Sequence, residues 1–145
     1  MDITKIKIEN ILKIKKHKYF NDSISNCKQL NKIFYSNIVK LMTHAMLNKS
    51  LETLLIIDEN FKSRVYTSND ENNVNIPSDI IEVMNNNTNN KYIMMHNHPS
   101  NSNFSIKDLS TFISRYQIAY LVVVTNDCQH ISVLGMHDDV DISIR

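Results

Sequence analysis

His96 and His98 stand one residue apart, immediately before Pro99, at the end of the apolar run KYIMMH. Side chains alternate along a strand, so two histidines at this spacing face the same way if the strand continues to His98. Two imidazoles side by side at a strand end can hold one Zn2+ at roughly 2.0–2.1 Å. Pro99 then ends the strand and turns the chain. Ser105 opens a helical pattern whose first turn carries Asp108, which brings a carboxylate back to the same point. His96, His98 and Asp108 together leave one tetrahedral position for water, the mark of a catalytic zinc rather than a structural one. The run Ser105-Ile106-Lys107-Asp108 also reads as a capping-box variant, so a purely structural role for Asp108 stays open.

The surrounding patterns must place these side chains. From Ser25 to Asn48 apolar residues recur at three- and four-residue spacing, which predicts a helix. LETLLIID (51–58) and SRVYTS (63–68) flank the turn signal DEN and predict a hairpin. IPSDIIEVMN, with Pro77 near its start, predicts a short helix. KYIMMH predicts a buried strand, and the helix after Ser105 shows Leu109, Phe112, Ile113 and Tyr116 on its apolar face. AYLVVVT (119–125) is the clearest core strand, and HISVLGM (130–136) pairs with it across NDCQ. This order predicts an α/β fold, a three-layer-like mixed sheet flanked by helices. Residues 1–24 form a basic N-terminal flank, ambiguous between helix and strand, and residues 25–145 form one domain.

Composition removes several classes of function. The chain has 145 residues and is 42% hydrophobic, enough for one globular core. A formal charge of +1 gives no global field that favours nucleic acid or an anionic membrane. The single glycine, Gly135, rules out both a P-loop and a GxGxxG turn. Asparagine is abundant and tolerates left-handed backbone, so it can substitute for glycine in loops, and genome composition accounts for the abundance equally well. Cys27 and Cys128 form no CxxC pair and read as reduced thiols. There is no signal-peptide pattern and no apolar run of roughly 20 residues, so a cytoplasmic, membrane-free protein is expected.

HNHPSNSNFSIKD resembles the metal motif of the JAMM (JAB/MPN) metalloprotease family, and HNHPS resembles its RadC-like bacterial and phage branch. The family pattern is H-x-H, seven residues, Ser, two residues, Asp, with a glutamate well upstream. Here six residues separate His98 from Ser105. Asn101 stands where glycine is usual, and Phe104 where proline is common. The resemblance spans about residues 28–136 and implies a JAB/MPN-like domain over residues 25–145, with a cytidine-deaminase-like architecture. Of the glutamates at positions 9, 52, 59, 71 and 82, only Glu52 opens a core strand directly after a long helix. The resemblance therefore assigns the upstream acid to Glu52.

It further implies that Zn2+ is held by His96, His98 and Asp108. Glu52 would act as general base and then acid, and Ser105 would donate to the oxyanion. The implied substrate is a peptide or protein amide or isopeptide bond, with a ubiquitin-like tail among the candidates. A small Asn- and Lys-rich chain suits a phage or defence-related role. An inactive protein-binding module and a RadC-like DNA-associated protein are the alternatives, the latter drawing on lysines such as Lys13, Lys15 and Lys16. Nucleobase deamination is set aside because neither H-x-E nor P-C-x-x-C occurs. The literal HNH is not a nuclease signature, since HNH nucleases spread those residues along a ββα unit.

Overall fold

The computed structural model describes residues 3–14, 27–67, 76–86 and 91–135. Residues 68–75 lie outside them, as do His17 and His137.

Helix α1 spans Ile8–Ile14 and α2 spans Cys27–Leu47. Strands β1 (Thr53–Ile57) and β2 (Ser63–Thr67) form the expected hairpin. Helix α3 (Ser78–Asn85) precedes β3 (Tyr92–His98). Helix α4 (Ile106–Ser114) crosses to β4 (Ile118–Thr125), and β5 (Ile131–Gly135) returns beside it. The strand order is β2-β1-β3-β4-β5. Among the described residues only β3 and β4 run parallel, joined through α4, while every other neighbouring pair is antiparallel. The result is a five-stranded mixed sheet of an α/β fold.

Strand alternation sorts the core into two layers. On one face Leu55, Ile57, Ile93, Met95, Val122 and Val124 meet Phe34, Ile38, Leu41, Met42 and Ala45 of α2. That spacing on α2 is a single helical stripe. On the other face Leu54, Ile56, Tyr92, Met94 and Leu121 meet Met84 of α3 and Phe112 of α4. Helices therefore cover both faces.

The N-terminal residues do more than supply charge. Ile6, Ile11 and Ile14 are buried in the α2-side layer, whereas Ile8 and Leu12 are exposed. The Ile6 N–H donates to Ser50 Oγ at 2.9 Å. Thr4 N donates to the Pro99 carbonyl at 2.8 Å, tying this segment to the turn after the histidines.

The expected use of asparagine holds at one position in five. Among the described residues left-handed backbone occurs at Lys49, Ser50, Phe61, Asn101 and Cys128. Lys49 and Ser50 together stop α2 without glycine. Asn101, with φ 61°, is the position where the family pattern carries glycine. Asparagine tolerates this conformation at modest cost, so the departure from the pattern is sterically mild. No helix among the described residues is long and apolar enough to cross a membrane.

Candidate metal centre

Register and alternation determine where the chemistry-bearing side chains meet. On β3, His96 and His98 share a face with Tyr92 and Met94, and Asn97 faces the opposite layer. Leu54 of β1 pairs with His96 in antiparallel register. Continuing that register places Glu52 across from His98 on the same face. Asp108 arrives from the other direction as the third residue of α4. Its N–H donates to the Ser105 hydroxyl at 3.1 Å, and its Oδ2 accepts from Ser105 N at 2.8 Å. This reciprocal capping box fixes the carboxylate before any ion is considered.

The four side chains converge. His96 Nε2 lies 2.8 Å from Asp108 Oδ1, and His98 Nε2 lies 3.1 Å from Asp108 Oδ2. On the far side of its ring, His96 Nδ1 lies 3.1 Å from Glu52 Oε1. One ligand atom from each of Glu52, His96 and His98 falls within 4.8 Å of the others. His96, His98 and Asp108 are buried, and Glu52 is nearly so. Ser105 is exposed at the rim and joins the cluster through Asp108. Its hydroxyl oxygen accepts from Asp108 N, which leaves its O–H free to donate. The capping role and the donor role are therefore compatible.

The electrostatics follow from this packing. Burial alone would pull His96 below its ordinary pKa, but the hydrogen bond to Asp108 and the neighbouring Glu52 carboxylate outweigh it. His96 is pushed up to about 9. Burial would likewise raise Asp108, yet His96, His98 and the Ser105 N–H hold its carboxyl well below the usual range. Without a metal, the centre is an imidazolium clasped between two carboxylates.

His96 Nδ1 is buried and close to Glu52, yet misaligned, so that the contact is a charge attraction without a hydrogen bond. The setting of His98 fits a divalent ion. His98 Nδ1 lies 2.8 Å from the Ser102 carbonyl. A carbonyl can only accept, so Nδ1 carries a proton, and a bound ion would take the place of any proton on Nε2. Two imidazoles and two carboxylates suit zinc and similar ions of borderline softness.

Sequence reasoning missed the residues that hold this cluster in register. Asn97, between the two histidines, is fully buried on the opposite face. Its Oδ1 accepts from Thr53 N at 2.7 Å, while Nδ2 donates to the Leu51 carbonyl at 3.1 Å and to Asn126 Oδ1 at 2.8 Å. It therefore grips the backbone on both sides of Glu52. Asn126, also fully buried, donates onward to the Thr4 and Ser50 carbonyls. Alternation could have flagged Asn97, because an amide on a core face must find partners. Asn97→Leu leaves Thr53 N, the Leu51 carbonyl and Asn126 Oδ1 short of partners. It is expected to lower unfolding free energy by about 3 kcal/mol or more, read from urea titration. A loss near zero would show that the clamp does not hold the strand ends.

Compared with protein-family models, curated proteins and solved structures, the chain finds no match in any of the three.

Proposed function

We propose that the chain is a zinc-dependent hydrolase of peptide or isopeptide amide bonds, with a JAB/MPN-like domain of the JAMM type over residues 25–145. The observation that carries this reading is the geometry at Asp108. Both histidine Nε2 atoms address one carboxylate fixed by a helix cap, with a second carboxylate beside them. The resemblance of HNHPSNSNFSIKD to the family motif supplies the reaction class.

His96, His98 and Asp108 would hold the metal, and Glu52 would handle the proton. The division rests on stiffness. Asp108 is anchored by the Ser105 N–H, whereas Glu52 precedes its strand and touches the cluster through one misaligned contact. A bound Zn2+ supplies Lewis-acid activation of water and of the scissile carbonyl. Glu52 accepts a proton from the attacking water and returns it to the departing amine nitrogen, so that protons balance over the cycle. The Ser105 hydroxyl donates to the carbonyl oxygen as negative charge develops there.

Glu52→Gln separates the roles. The variant is expected to retain about one zinc per chain, as the unaltered protein would, and to lose cleavage of a mixed peptide and isopeptide set by about 100-fold or more. If Glu52→Gln loses zinc while Asp108→Asn keeps it, the ligand and base roles are exchanged. A zinc-loaded protein that cleaves no member of the set overturns the hydrolase reading.

A further inference from the structure

One strand away from the histidine pair, on the same side of the sheet, lies a cavity that the mechanism above does not use. Parallel pairing sets His96 beside Val123 and His98 beside Thr125, and antiparallel pairing then sets Val123 beside Ser132. Paired residues point to the same side of a sheet, so two rows cross from β3 to β5. One runs His96, Val123, Ser132. The other runs His98, Thr125, His130, the last held by the hydrogen bond from Thr125 N to the His130 carbonyl. Above the β4–β5 half of these rows lies a cavity of about 250 Å3, floored by Val123, Thr125 and Ser132 and rimmed by Ser102, Asn103 and His130. The Ser102 carbonyl that orients His98 belongs to the same rim.

The cavity's size and polarity define what it takes. It is smaller than the roughly 300–1,000 Å3 of a site that engulfs a whole small molecule, so it suits one or two side chains of a longer substrate. Adjacent strands lie about 4.8 Å apart and an extended chain advances about 3.3–3.6 Å per residue. The cavity therefore lies within about two residues of a bond poised at the histidines. Some of its polar groups are already engaged: Thr125 Oγ1 donates to Asp127 Oδ1 and accepts from His130 N. The Asn103 amide NH2, the Ser132 hydroxyl and the His130 ring carry no hydrogen bond to another described residue. All three can donate, and a neutral imidazole always keeps one N–H.

We infer that this cavity is a specificity subsite for a hydrogen-bond-accepting side chain, the amide or carboxylate of Asn, Gln, Asp or Glu, flanking the scissile bond. This rests on the hydrolase reading. Three such donors lining one cavity disfavour an aliphatic residue, because burying it would strip them of water without replacing their hydrogen bonds.

The test is a positional-scanning peptide library incubated with the zinc-loaded protein and with zinc-loaded Ser132→Phe, whose ring fills the cavity floor. The unaltered protein is expected to favour Asn, Gln, Asp or Glu over Leu by at least about 10-fold at one position within two residues of the cleaved bond. Ser132→Phe is expected to bind zinc equally and to lose that preference, and Asn103→Ala to weaken it. Cleavage with no such preference, or a preference unchanged in Ser132→Phe, overturns the subsite alone. A zinc-loaded protein that cleaves nothing overturns the subsite together with the hydrolase reading, which tells the two failures apart.

Discussion

Asp108→Asn is expected to lower zinc affinity by about 100-fold or more, measured by competition with a chromophoric chelator. Replacing an outer-shell partner of a metal ligand already costs 10–100-fold, and Asp108 addresses both imidazoles directly. Asparagine matches the carboxylate in shape, so the capping contact with Ser105 N survives through its oxygen. Its NH2 must then face a histidine nitrogen, offering a donor where an ion needs an electron pair. The change is local: α4 stays capped and Phe112 stays packed in its layer. A variant that binds zinc within about twofold of the unaltered protein would show that Asp108 serves the helix alone, the structural role left open by its place in a Ser-x-x-Asp run.

The parts of the centre that rest on local rules were legible. Period-two alternation put His96 and His98 on one face, and a serine three residues before an acid announced the start of α4. Glu52 was within reach, since a helix followed by a core strand left one glutamate in position. The register that sets it across from His98 depends on β1 pairing with β3 over some 40 residues of intervening chain, and no local pattern states that. The flank shows the opposite limit. In KIKIENILKI apolar residues fit helix and strand alike, and the choice of α1 depends on Ile11 and Ile14 packing against α2.

Long-range satisfaction was the least legible. Asn97, Asn126 and Thr4 are far apart in sequence, and their hydrogen bonds exist only once three chain segments meet behind the histidines. No motif in HISVLGM singles out His130. Its place at the cavity rim follows from the pairing of β3, β4 and β5, so its neighbours in sequence say nothing of it. Left-handed positions followed local stress more than residue type: Lys49 and Ser50 end α2 although neither is favoured there.

Chelator-treated protein is expected to lose stability as pH rises from about 6.5 to above 9. His96 has an ordinary pKa of 6.5, and Asp108 and Glu52 raise it to about 9 in the folded chain against the opposing pull of burial. Over that interval the folded state binds more protons than the unfolded state, so stability falls with pH. The contribution is fully present below about pH 6.5 and is lost as pH rises through about 9. Its size is about 3 kcal/mol. Asp108 works at the other end: its depressed pKa contributes stability that is present above its ordinary value of 3.8 and lost as pH falls through the acid range. The metal-free protein should therefore be most stable between about pH 4 and 6.5. Zinc reverses the alkaline limb, because imidazole must be neutral to donate its electron pair, and apparent affinity climbs as the proton leaves. Urea midpoints of chelated protein at pH 6, 7.5 and 9.5 should fall in that order, and His96→Gln should flatten the series. A chelated protein whose midpoint holds steady across this range would show that no imidazolium is clasped between Glu52 and Asp108.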